Sequence, residues 1–151
     1  MINGYGASMI RNPYQIVVDT SVIVAGLRSN LGSAFKLLTM LNDRRWQVNV
    51  SVALVLEYEA VLKREQLERF VTPMEVDRWV DDICLFSNLR TVFYQWRPIA
   101  RDPNDDFVVD LAVECQADFI VTYNLKDLQP ATQFGIEVVT PKTFLQLVGE
   151  L

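Results

Sequence analysis

Carboxylates are the side chains in this sequence with the greatest capacity for chemistry. Asp19 closes the apolar run Tyr14-Gln-Ile-Val-Val18, Glu57 lies six residues after Ser51, and Asp105 and Asp106 stand together after Asp102-Pro-Asn104. The chain has no histidine, so a Ser-His-Asp triad, a Cys-His pair and a histidine-ligated zinc are all excluded. Cys84 and Cys115 form no CxxC spacing and read as reduced thiols, buried or half-buried. Hard oxygen donors suit Mg²⁺ or Mn²⁺, ions that prefer carboxylates and keep several waters.

The elements that must position these groups alternate between strand-like and helix-like segments, the pattern of an α/β fold. Strands are expected at residues 14–19, 47–50, near 91–94, at 118–122 and at 135–139. Helices are expected from about Leu31 to Leu41, after Ser51, from Thr72-Pro73 to about Leu89, from Asp102 to Gln116, briefly at Leu125 to Leu128, and from Pro141. Residues 1–13, with Gly4, Gly6 and Ser8, read as a loose arm before a single domain over residues 14–151. In an open parallel sheet, ligands bind beyond the carboxyl ends of the strands, where the strand order reverses. Asp19 ends one strand and Tyr123-Asn124 follow another, so several oxygen donors could converge on one acidic crevice.

Each acid also has a purely structural reading. Aspartate at a strand end forms turns, Asp102 and Asp105 make a capping box, and Glu57 with Glu59 suits a solvated helix face. Asp110, one turn beyond Asp106, either flanks the crevice or faces solvent. The apolar faces Phe35-Leu38-Leu41 and Val80-Ile83-Leu85-Phe86 read as core rather than interface. With 19 acidic against 14 basic residues the net charge is −5, which argues against non-specific duplex binding through cationic surface. No apolar run is long enough to span a bilayer and the start lacks a secretory pattern, so a soluble cytoplasmic protein, not a membrane protein, is expected.

Four segments resemble the motifs of PIN domains. Val17-Val-Asp19-Thr-Ser21-Val is similar to their first strand and acid. Ser51-Val-Ala-Leu-Val-Leu-Glu57 resembles the helix presenting a glutamate. Asp102-Pro-Asn-Asp105-Asp-Phe-Val-Val-Asp110 is similar to the third motif, and Asp118-Phe-Ile-Val-Thr122-Tyr-Asn124-Leu-Lys-Asp127 to the fourth. The resemblance implies a three-layer α/β/α fold around a parallel sheet of about five strands, and a divalent-metal ribonuclease site. It points to the VapC-like toxins of bacterial toxin–antitoxin systems. Carried over by position, Asp19, Glu57 and Asp105 are the implied metal ligands for Mg²⁺ or Mn²⁺, with Asp106 the less favoured choice at the third position. The fourth position departs from the pattern, because Tyr123-Asn124 replaces the Gly-Asp of many members. Asn124 offers a neutral carbonyl, and Asp127, one turn on, is the alternative.

On this reading the cation activates water near neutral pH and Asn124 or Asp127 completes the catalytic cluster. Ser21 and Thr122 orient a carboxylate or the water, and Arg97, Arg101 and Lys126 hold the RNA backbone. The same resemblance implies an antitoxin partner, whose basic side chain fills the groove, and a homodimer. Two competitors stand beside it: a degenerate PIN-like module that binds RNA or protein without cleaving, and a response-regulator-like domain using Asp19 as a phosphoryl acceptor.

Overall fold

A computed structural model describes residues 12–64, 71–93 and 105–151. All but two residues of the expected N-terminal arm, together with Arg97, Arg101 and Asp102 to Asn104, lie outside the described residues. Five parallel strands, β1 (Tyr14–Val18), β2 (Trp46–Val50), β3 (Ser87–Leu89), β4 (Phe119–Val121) and β5 (Glu137–Val139), form one sheet in the order β3-β2-β1-β4-β5. The helices are α1 (Thr20–Arg28), α2 (Ser33–Leu38), α3 (Val52–Leu62), α4 (Pro73–Phe86), α5 (Asp106–Glu114), α6 (Leu125–Leu128) and α7 (Pro141–Leu147), with a 3₁₀ helix at Gln129–Phe134.

This is the three-layer α/β/α arrangement expected from the sequence. The chain winds from β1 outward through β2 to β3, then crosses back to place β4 and β5 on the other side of β1. Parallel neighbours require crossover connections, and the helices between the strands supply them: α1 and α2 join β1 to β2, α3 and α4 join β2 to β3, and α6 lies between β4 and β5. The order therefore reverses between β1 and β4, and the carboxyl ends of these two strands are where open α/β sheets bind their ligands.

β1 is buried because it has neighbours on both edges and helices on both faces, and Ile16, Val17 and Val18 are accordingly excluded from solvent. Ile16 pairs with Val48 on one side and Phe119 on the other. At the amino ends of the strands, Tyr14, Phe119, Phe144 and Trp46 stack edge to face, with centroids 5.3–5.4 Å apart at each step, and this chain docks α7. Asn49, fully buried on β2, donates to the Gln15 side chain at 3.0 Å and accepts from Arg90 Nε at 2.9 Å. Its amide thus ties β1 and the residue following β3 to the central sheet.

Helix starts follow their capping residues. Ser51 Oγ accepts from the Leu54 amide at 3.2 Å and Thr72 Oγ1 from that of Glu75 at 3.2 Å, as the sequence predicts at both positions. Two stretches of the chain differ from expectation. α4 stops at Phe86 rather than near Leu89, and the third strand is Ser87–Leu89 rather than residues 91–94, of which Tyr94 lies outside the described set. Ser87 breaks the helix: its backbone is extended, and its hydroxyl donates back to the Ile83 carbonyl at 2.5 Å. The second difference is α1, a helix built from Thr20-Ser-Val-Ile-Val-Ala-Gly-Leu-Arg28. β-Branched residues and Gly26 give that stretch poor helix propensity, but burial of Val22, Ile23 and Gly26 outweighs it. Consequently α2 begins only after Gly32 and covers six residues.

Of the apolar faces assigned to the core, Leu38, Leu41, Val80 and Ile83 are buried and Phe35 is half-buried, whereas Leu85 and Phe86 are exposed, off the Val76-Val80-Ile83 face that α4 buries. Cys115 is buried, as expected, but Cys84 is exposed on α4.

Candidate active site

Asp19 is the first residue after β1, and it N-caps α1 with extended backbone. Its carboxylate is only 3 % exposed. Oδ2 accepts from Ser21 Oγ at 2.8 Å and from Thr122 Oγ1 at 2.8 Å. Those two hydroxyl oxygens lie 3.4 Å from each other, so the end of β4 and the first turn of α1 grip the same oxygen. The backbone continues the grip: Asp19 N donates to the Val121 carbonyl at 2.9 Å, Tyr123 N to Ser21 Oγ at 3.1 Å, and Asn124 N to Thr122 Oγ1 at 2.9 Å.

Glu57 comes from the opposite flank. Ser51 starts α3 at the end of β2, and Glu57 in its second turn accepts at Oε2 from Thr20 Oγ1 at 3.2 Å. Thr20 directly follows Asp19, so the hydroxyl that holds Glu57 comes from the residue next to the first acid. Next to Glu57 the fully buried Tyr58 donates its hydroxyl to the Val18 carbonyl, locking α3 to the last residue of β1. Burial, and then the negative charges of Asp19, Cys84 and Glu57, push the Tyr58 phenol well above its usual pKa, so it stays a donor.

α5 carries the remaining acids and packs against both β1 and α3. Asp105 is its N-cap residue, half-buried and without a side-chain capping bond. Asp106 and Asp110, one turn apart on a single face, are 1 % and 2 % exposed. Asp110 lines a groove with Ser51, Val52, Arg90 and Phe107, near the start of α3. The turn after β4 is different in character. Asn124 and Lys126 are exposed, and Asp127 is half-buried on α6.

Sequence reasoning had Ser21 and Thr122 as residues that orient a carboxylate, and in the structure both donate to Asp19. It did not single out Thr20 or Tyr58, because a hydroxyl beside an acid and a tyrosine in a helix carry no local signal of a contact about forty residues away. The i, i+4 spacing of Asp106 and Asp110 was readable, but not the face on which the pair falls.

The donor set fits a hard cation. Asp19 and Glu57 are held by hydroxyls and by no cationic side chain among the described residues, so their charge is left for something else to offset. Among the described residues no three acidic or thiol side chains close into a cage for an ion.

The fold and site define an α/β domain with buried carboxylates at the switch point of a parallel sheet. The PIN domain family matches residues 15–126, which run from β1 into α6, and the chain belongs to that family. PIN domains are in general metal-dependent nucleases acting on nucleic acid. No curated protein matches the chain. No helix among the described residues is long and apolar enough to cross a membrane.

Proposed function

We propose that this protein is a metal-dependent endoribonuclease, the toxin of a toxin–antitoxin pair, that hydrolyses RNA phosphodiester bonds with Mg²⁺ or Mn²⁺. The observation that carries the reading is Asp19: a buried carboxylate at the switch point, oriented by two hydroxyls from separate elements and matched to no cationic side chain among the described residues. Such an arrangement costs stability unless a ligand completes it.

Asp19 and Glu57 would hold the cation, with Asp106 and Asp110 supplying further negative charge from α5. Burial of this pair, against half-burial of Asp105 at the N-cap position, favours Asp106 at the third acidic position. A bound divalent cation supplies a water of lowered pKa and positive charge against the phosphoryl oxygens. Ser21 and Thr122 hold Asp19 in one rotamer, and Thr20 does the same for Glu57, so neither acid has to reorganise as substrate arrives. Asn124 at the rim accepts a hydrogen bond or ligates through its carbonyl, and Asp127 adds charge from one turn on. Exposed Lys126 would meet a backbone phosphate, a role proposed also for Arg97 and Arg101. An antitoxin segment with a basic side chain would occupy the same crevice, and a homodimer is expected.

The test is cleavage of single-stranded and structured RNA in Mn²⁺ or Mg²⁺, with an EDTA control and an Asp19→Asn variant. Metal-dependent cleavage lost in Asp19→Asn, with the circular dichroism spectrum unchanged, is the expected result. Equal cleavage by Asp19→Asn would overturn the assignment. Absence of cleavage and of metal binding in the wild type would leave a non-catalytic binding module, the reading favoured by neutral Asn124 at the fourth position.

A further inference from the structure

We propose that Tyr123 is a stacking platform, holding one nucleobase of a single-stranded RNA beside the acidic crevice so that the adjoining phosphate lies over Asp19. The inference rests on the ribonuclease reading and assigns part of its substrate contact.

Tyr123 occupies a place where a large aromatic ring is unexpected. It follows Thr122, whose hydroxyl donates to Asp19, and its own amide donates to Ser21 Oγ at 3.1 Å. The backbone under the ring is therefore fastened to the residues that orient the central carboxylate. Its side chain is nevertheless 47 % exposed. Leaving so much aromatic surface in water forfeits hydrophobic stabilisation, whereas a base laid on it recovers that area. A tyrosine side chain has only two torsions to fix, so stacking on it costs little conformational entropy.

The residues that follow are exposed as well. Asn124, Leu125 and Lys126 are all exposed, so the rim carries in succession an aromatic face, an amide, an apolar side chain and a cation. Sequence-tolerant binding of single strands uses this combination, in which bases stack on aromatic rings and cations follow the phosphates. An acidic chain with net charge −5 gains little from long-range attraction to RNA, which raises the relative weight of such local contacts.

The experiment is equilibrium binding of a fluorescently labelled short single-stranded RNA to the full chain, in EDTA and again in Ca²⁺. Wild type, Tyr123→Phe and Tyr123→Ala are compared, together with a series of RNAs that each lack one base. Tyr123→Ala should weaken binding about tenfold, within the range that one stacked base contributes, while Tyr123→Phe stays near wild type. One abasic position should weaken wild type by a similar factor and add nothing in Tyr123→Ala. Equal affinity of wild type and Tyr123→Ala, equal losses in the Phe and Ala variants, an abasic penalty that persists without the ring, or no RNA binding at all would each overturn the proposal. Failure of the nuclease reading shows separately, as absence of cleavage in Mn²⁺ while the binding comparison still reports the stacking.

Discussion

A buried carboxylate needs hydrogen bonds to be tolerated, and the hydrogen bonds chosen here also decide its direction. Ser21 and Thr122 reach Asp19 from different elements, and each can rotate its hydroxyl hydrogen toward the same oxygen. Thr122→Val keeps the shape of the buried side chain but removes one donor and the acceptor for the Asn124 amide. The expected outcome is a loss of about 10–100-fold in metal affinity or cleavage, the usual scale for groups that orient a ligand rather than bind the ion. Isothermal titration with Mn²⁺ alongside cleavage rates checks it. Retention of both at wild-type level would reduce Thr122 to a strand-end cap.

Among the elements, α3 matters most for the site, because it must deliver Glu57 to the end of a strand it does not follow directly. Two interactions place it: the Ser51 cap fixes where the helix begins, and the Tyr58 hydroxyl on the Val18 carbonyl fixes its approach to β1. Tyr58→Phe removes that bond with almost no change of volume. Loss of a buried hydrogen bond costs about 1 kcal/mol, up to about 3 kcal/mol if the carbonyl is left unsatisfied. Urea denaturation should show a lower midpoint with unchanged slope, accompanied by reduced cleavage, since α3 then holds Glu57 less firmly. An unchanged midpoint would mean that packing of α3 alone sets its position.

For the whole molecule, the end opposite the crevice is closed by ionic contacts as well as by the aromatic chain. Arg45 lies over Trp46 at 5.1 Å and pairs with Asp43 and Glu150, each at 2.7 Å, fastening the carboxyl-terminal residues to the segment before β2. The Arg45 hydrogen bonds hold both carboxyls below their usual pKa. A carboxyl with a depressed folded-state pKa stabilises fully above its unfolded pKa, near 4, and loses that contribution as pH falls through the folded value. Arg45→Ala should therefore flatten the fall in stability on acidification below about pH 4, measured by melting temperature across pH. Because these groups lie at the surface and are only partly buried, added salt should shrink the difference between variant and wild type. A parallel acid limb in both proteins would show that the pairs contribute nothing.

The sequence by itself determined the alternation of strands and helices, the start of each capped helix, and the acid at the end of β1, because these depend on neighbours within a few residues. Tyr14 to Val18 announced a buried strand through its apolar run, and Ser51 and Thr72 announced helix starts through their hydroxyls. Where local preference and tertiary packing disagreed, packing prevailed: α1 is helical despite its β-branched residues, and β3 pairs with β2 immediately after α4 instead of a few residues later. The inward acids of α5 were decided in the same way. Asp105, Asp106 and Asp110 are all acids of one short segment, and only the packing of α5 on β1 and α3 buries the second and third while leaving the first half-buried at the helix start. Joining Asp19 to Thr122 and Glu57 to Thr20 likewise required contacts spanning 103 and 37 residues, distances over which a sequence pattern carries no geometry.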